Sequence, residues 1–176
     1  TNGGTSWAPV LGSFGSSYFT DVAITSTGVV YATLSSESTV GGIYRSGNGT
    51  TFTRLNPSGF PTGYRRVKIG ISPSHEDQVY FLAAYTPNFG KKNVSYGGQV
   101  EWNSLWRYTY LSGNGSDTGG RWEDRSVNLP NTGGPFDKFQ TQGAYDVVVK
   151  VKPNDTNVVF IGGTNLYRSN SGFTDS

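Results

Sequence analysis

Ile43-Tyr44-Arg45-Ser46-Gly47-Asn48-Gly49-Thr50-Thr51-Phe52 decides the fold, because its opening triplet returns twice further along the chain. It recurs as Leu105-Trp106-Arg107 and as Leu166-Tyr167-Arg168-Ser169, an apolar residue, an aromatic and an arginine each time. A short strand that returns with one signature defines a repeat array, whose units bury their apolar faces only by stacking on neighbours.

Working outward, the first unit reads as four strands of β-type residues. They are Tyr18-Phe19-Thr20-Asp21-Val22-Ala23-Ile24, Val29-Val30-Tyr31-Ala32-Thr33-Leu34, Gly42-Ile43-Tyr44-Arg45 and Phe52-Thr53-Arg54-Leu55. The second unit follows the same order with Val67-Lys68-Ile69-Gly70-Ile71, Gln78-Val79-Tyr80-Phe81-Leu82-Ala83, Leu105-Trp106-Arg107-Tyr108 and Arg121-Trp122-Glu123-Asp124. The third has Tyr145-Asp146-Val147-Val148-Val149-Lys150-Val151, Val158-Val159-Phe160-Ile161 and Leu166-Tyr167-Arg168-Ser169, and no fourth strand. The expected fold class is all-β, a β-propeller segment of about three four-stranded antiparallel blades, the last incomplete. Residues 1–176 form one partial domain, with blades at about 18–56, 64–130 and 144–176.

Composition agrees with this reading. The 176 residues are 34% hydrophobic and 14% aromatic, enough apolar material for an ordinary core. With 25 Gly and only 15% charged residues, the chain turns often and lacks the runs that build helices. A formal charge of +2 without clusters gives no footprint for nucleic acid, and Arg65-Arg66-Val67-Lys68 reads as an ordinary strand. The absence of Cys excludes thiolate metal sites, Cys nucleophiles and disulfides. The single His, His75, sits in the turn-like stretch Ser72-Pro73-Ser74-His75-Glu76-Asp77 and reads as an exposed turn residue rather than a catalytic base. Neither a cofactor nor a metal is expected. No apolar run has transmembrane length, and a chain that opens at Thr1 without Met is expected to be processed or cut from something longer.

The spacing separates framework from insertion. Tyr44 to Trp106 is 62 residues and Trp106 to Tyr167 is 61, longer than the roughly 40–50 of ordinary propeller repeats. The surplus falls in residues 86–103, 112–120 and 131–142, which read as long polar loops. Loops of this kind carry function when they carry chemistry. Residues 86–103 hold Tyr96 and Trp102 with Phe89 and the adjoining Tyr85, beside Asn88, Asn93 and Gln99. Flat rings beside amides are what a protein uses to stack on pyranose faces, so Tyr85, Phe89, Tyr96 and Trp102 are the candidate ligand contacts; the competing reading has them covering the edge of blade two.

Residues 44–52 resemble the Asp-box, the Ser-x-Asp-x-Gly-x-Thr-Trp hairpin of the BNR repeat in sialidase-like and sortilin-like β-propellers. Asn48 stands where the box has Asp, Phe52 where it has Trp, and the spacing is one residue shorter. Ser169 to Phe173 resembles a truncated copy, and Gly120-Arg121-Trp122 the end of a third. The resemblance implies a structural role for Ser46, Asn48, Gly49, Phe52, Ser169 and Gly172. Asn48 would bond its own turn, Gly49 supply a permissive φ and Phe52 plug between sheets. It also invites comparison of Arg45, Arg107 and Arg168 with the arginine triad that grips a sialic-acid carboxylate. The structural reading prevails, because all three lie on the strand that bears the box rather than near the axial channel.

Residues at the starts of innermost strands are the better catalytic candidates. Asp21, Asp146 and Arg66, with Arg65 nearby, would approach the mouth of the channel, where two carboxylates and an arginine are the ingredients of glycoside hydrolysis. They are equally the ingredients of a structural ion pair. Four Asn-x-Ser/Thr sequons, at Asn48, Asn93, Asn114 and Asn154, matter only in a eukaryotic secretory host.

Three units are too few to close a ring of about four to eight blades, so the remaining blades of the same or a larger protein are the first expected partners. The segment from Val147 to Ser169 resembles propellers of large secreted Bacteroidetes proteins with a C-terminal sorting domain. That resemblance implies an extracellular or cell-surface setting. The expected function is a non-catalytic propeller segment acting in adhesion, glycan binding or assembly, with carbohydrate as the ligand and neither nucleic acid nor a membrane span. The alternative is part of a sialidase-like glycoside hydrolase.

Overall fold

The computed structural model describes residues 3–11, 21–95, 97–134 and 138–175. Tyr18, Phe19 and Thr20, expected to open the first strand, lie outside them. Three antiparallel sheets account for the strands. Sheet one runs in the order β1 (Asp21–Ile24), β2 (Val30–Leu34), β3 (Gly42–Ser46), β4 (Thr53–Arg54). Sheet three holds β10 (Val148–Lys152), β11 (Asp155–Gly162) and β12 (Leu166–Ser169). Sheet two holds β5 (Arg66–Ile71), β6 (Gln78–Ala84), β7 (Lys91–Val94), β8 (Val100–Tyr110) and β9 (Gly120–Asp124). Among the described residues helix is confined to two short 3-10 turns, Asp117–Gly119 and Ser126–Asn128.

Sheet two has five strands rather than the expected four, and the fifth comes from the insertion. The insertion holds a β-hairpin rather than a loop: β7 pairs with the first four residues of β8, Lys91 opposite Asn103 and Val94 opposite Val100. Asn103 faces Ala84 of β6 on its other side, and Trp106 lies between Phe81 and Asp124. β7 and β9 therefore share one edge of β8, end to end. The signature strand runs from Val100 to Tyr110, well beyond the expected Leu105-Trp106-Arg107-Tyr108.

Alternation on β6 shows why the sheets stack. Val79, Phe81 and Ala83 point into a core shared with sheet one, among Tyr31, Ile43, Leu55 and Tyr108. Tyr80, Leu82 and Ala84 point into a second core shared with sheet three, among Val149, Val151, Val159 and Ile161. A strand with period-two side chains, apolar on both faces, can only be the middle layer of a sandwich. Edge-to-face contacts of Tyr31 with Phe81, at 6.3 Å, and with Tyr108, at 6.2 Å, tie the first core together.

The inner strands of neighbouring sheets lie side by side, with β5 between β1 and β10. The approach is close: a Cβ on Gly70 would lie 3.1 Å from Val149 Cγ2 and 3.2 Å from the Val149 carbonyl oxygen, so Val149 would have to shift by a few tenths of an ångström to admit one. On the other side Asp21 accepts from the Ile69 amide at 2.9 Å and pairs with Lys68 at 2.9 Å. Among the described residues no closed barrel forms, and the stack is consistent with a partial propeller.

The box turn behaves as its chemistry dictates. Asn48 Oδ1 accepts from the amides of Thr50 (2.9 Å) and Thr51 (2.8 Å), while Ser46 Oγ accepts from Gly49 N–H at 2.9 Å. Gly49 adopts φ 73°, a conformation open to glycine at no steric cost. Asn48→Ala deletes an acceptor serving two backbone donors and is expected to destabilise by about 1 kcal/mol, measured by chemical denaturation. Phe52 does not plug the sheets: it is half-buried and, among the described residues, belongs to neither core, where Leu55 supplies the apolar group instead. In the third copy Ser169 Oγ accepts from Ser171 N–H at 3.1 Å and Phe173 N–H at 2.9 Å, Gly172 has φ 63°, and Phe173 is the buried plug.

A second turn of the same pattern stands where an insertion was expected. Ser112-Gly113-Asn114-Gly115-Ser116 repeats the Ser46-to-Thr50 pattern, and Asn114 Oδ1 accepts from Ser116 N–H at 3.0 Å as Asn48 does from Thr50. Trp122 then packs at the margin of the first core, 4.8 Å from the Tyr108 ring centroid.

Candidate functional site

The insertion hairpin has two faces of opposite character. On one, Asn93, Glu101 and Asn103 are all buried. Asn93 donates to the carbonyls of Phe139 at 2.6 Å and Pro130 at 3.2 Å. Glu101 accepts from Thr141 N–H at 2.7 Å and Gly143 N–H at 2.6 Å. This face clamps the segment that leads to sheet three. A buried carboxylate satisfied by backbone amides is structural chemistry.

The other face carries Val94, Val100 and Trp102, with Val94 and Val100 exposed and Trp102 half-buried. The chain leaves β6 at Tyr85 in the left-handed region, φ 56°, and Asn88 follows at φ 62°. Both are costly for non-glycine residues and need support. Tyr85 N–H donates to Asn103 Oδ1 at 3.2 Å, Thr86 N–H to the Trp102 carbonyl at 2.7 Å and Thr86 Oγ1 to the Phe89 carbonyl at 2.7 Å. The result is a cleft of about 200 Å³ lined by Tyr85, Pro87, Asn88, Val100 and Trp102. The guanidinium of Arg65 lies over the Tyr85 ring at 4.3 Å from its centroid.

Of the expected ligand contacts, Tyr85 and Trp102 share this cleft. Phe89 does not line it: its ring stacks on Trp106 at 6.3 Å, against the first core, because the Thr86 turn folds it inward. Tyr96 lies outside the described residues. Of the amides, Asn88 is exposed at the rim, whereas Asn93 donates to backbone carbonyls and Gln99 Oε1 accepts from Ser95 Oγ in the hairpin turn. Burial of Asn93 also removes its sequon from the accessible surface.

The catalytic candidates fall elsewhere. Asp21 is engaged by Lys68 and Ile69, and Arg66 Nη1 donates to the Tyr145 carbonyl at 3.1 Å. Asp146 does not open a strand, as its sequence suggests; residues 142–146 turn, and β10 begins at Val148. β5 stands between the strand that Asp21 opens and the strand that Asp146 precedes. Among the described residues no group of acidic or imidazole side chains could hold a metal ion, and no helix is long and apolar enough to cross a membrane. Of the recurrent arginines, Arg107 pairs with Glu123, Arg168 is exposed and Arg45 is buried. A cleft of about 570 Å³ runs beside β12, with Asn128, Tyr167, Arg168 and Phe173 in its lining, where no described strand completes sheet three.

The fold and site thus define an all-β chain of stacked antiparallel sheets with an aromatic cleft on an inserted hairpin. No protein-family model, curated protein or solved structure matches the chain.

Proposed function

We propose that this chain is a segment of a BNR-type β-propeller from a secreted or cell-surface protein, and that the cleft between Tyr85 and Trp102 binds carbohydrate without catalysis. The observation that carries the reading is the pairing of two aromatic side chains across a small cleft whose backbone is held in two left-handed residues. A ring platform with an amide at its rim suits the apolar face and hydroxyl edge of a pyranose. No residue lining the cleft bears a carboxylate, so the acid pair of a glycosidase has no counterpart there. Further blades suit the open faces of the stack: Val22 and Ile24 on β1 are 63% and 64% exposed, at positions that face away from the first core. A glycan array probed with the intact chain tests the ligand. The expected result is binding that Trp102→Ala weakens at least tenfold, about 1.4 kcal/mol, with an unchanged melting temperature. An array without hits, or hits unaffected by Trp102→Ala, overturns the reading.

A further inference from the structure

Sheets one and two repeat one cross-strand row and differ in the residue that sets its charge. Tyr31 stands opposite Arg45, and Arg45 opposite Thr53. The matching row in sheet two is Tyr80, Arg107 and Glu123. Directly opposed residues project from the same face, so each row is a line of touching side chains. In sheet two Glu123 Oε2 accepts from Arg107 Nε at 2.7 Å, and its Oε1 takes Arg125 Nη2 at 3.0 Å. Thr53 offers no such carboxylate in sheet one.

Arg45 is nevertheless the more deeply placed of the two, only 9% exposed. Its guanidinium stacks on the Tyr110 ring at 4.0 Å, its Nε is sealed from solvent without a hydrogen-bond partner, and among the described residues it forms no ion pair. The neighbouring Tyr31 cannot neutralise it. Burial, more than any other influence, pushes the Tyr31 hydroxyl up, and the hydrogen bond and charge of Arg45 only partly offset this, so it remains a neutral phenol. Asp77 acts on that tyrosine from further away without pairing with Arg45. A buried cation with an unfilled donor is expensive, and its natural complement is an anion.

Space for one exists beside it. A cleft of about 260 Å³ is bounded by Arg45, Asn48, Thr51, Thr53 and Asn114, with the two box turns as its walls. The carboxamide oxygens of Asn48 and Asn114 are turned into their own loops, which leaves their N–H₂ groups as the outward donors. No lining residue is acidic.

We propose that this cleft is a carboxylate-binding site, in which a ligand carboxylate meets the Arg45 side chain that lines it and supplies the countercharge that Glu123 supplies in sheet two. The shared chemistry is a planar two-oxygen anion meeting the guanidinium edge. A sugar acid and an amino-acid carboxylate both supply it.

The test is a titration of the intact ¹⁵N-labelled chain at constant ionic strength with acetate, glucuronate, N-acetylglutamate, glucose and sulfate. Saturable shifts of the Arg45 Nε–H and of the Gly47 and Asn114 amides with the carboxylates, absent with glucose and weaker with sulfate, are expected. A stronger response to glucuronate assigns a sugar acid, and one to N-acetylglutamate an amino-acid carboxylate. Thr53→Glu supplies the carboxylate internally, as in sheet two. It is expected to melt higher than the parent chain and to lose at least tenfold in carboxylate affinity. Arg45→Gln is expected to abolish the response, and Thr53→Glu decides the matter alone if that variant does not fold. No response in the parent chain, an equal response to sulfate, or a Thr53→Glu variant that responds like its parent overturns the proposal.

Discussion

Phe81→Ala is expected to lower the stability of the chain by about 3–5 kcal/mol and its melting temperature by roughly 10 °C. Phe81 is fully buried at the centre of β6, with the Tyr31 ring 6.3 Å away and the Trp122 ring 5.4 Å away. Two features keep the resulting cavity from collapsing. β6 is hydrogen-bonded along both edges, to β5 and β8, so its backbone cannot move toward sheet one. The surrounding residues are large rings fixed by their own neighbours, and only part of the void can be refilled. Urea unfolding followed by tryptophan fluorescence measures the loss, and a value below about 1 kcal/mol would mean that sheets one and two do not share this core.

Glu101→Ala is expected to cost about 3 kcal/mol by a different route, since it removes no apolar contact of consequence. The two oxygens of Glu101 serve Thr141 N–H, Thr141 Oγ1 and Gly143 N–H, the first two of these bonds buried. Truncation leaves backbone donors facing an empty, dry space, and each such donor costs about 1–3 kcal/mol. Glu101→Gln keeps the shape but turns one acceptor into a donor that confronts another donor. It is expected to lose most of the same stability. Hydrogen exchange distinguishes this from a general loss of packing: the Thr141 and Gly143 amides should lose protection before the β6 amides do. Equal protection in variant and parent would show that the clamp is not held by the carboxylate.

These two expectations differ in how far the sequence announces them. Phe81 lies in Gln78-Val79-Tyr80-Phe81-Leu82-Ala83, a run apolar on both faces, and a buried middle strand follows from that pattern alone. The strand order and the Asn48 turn were legible for the same reason: local periodicity and turn chemistry decide both. Glu101 was not legible as a buried clamp, because its partners lie 40 and 42 residues away in an aperiodic segment. The hairpin around it did carry a signal, since Val100-Glu101-Trp102-Asn103 alternates apolar and polar residues with the period of a strand. Its polar members, which read as loop composition, are the face buried against Pro130, Phe139, Thr141 and Gly143. The second turn of the box pattern was hidden by its offset, Asn48 and Asn114 being 66 residues apart while the signature aromatics are 62 apart.

The candidate site was legible in part. Tyr85 and Trp102 could be named from ring content, but their meeting depends on the left-handed turn at Tyr85 and on β7 pairing with β8. Phe89 was drawn inward by the same turn that positions Tyr85, a consequence of hydrogen bonds that composition does not encode. Arg45 reads as one of three equivalent arginines until its cross-strand partner is known. Register then separates it from Arg107, since Thr53 and Glu123 occupy matching places.

The most direct measurement of the central claim is an amide-resolved NMR titration of the intact chain with the oligosaccharide selected by the array. Binding at the aromatic cleft predicts saturable shifts at Tyr85, Asn88, Val100 and the Trp102 indole, with the box turns unmoved. Shifts confined to any other surface, or none at saturating oligosaccharide, would contradict it.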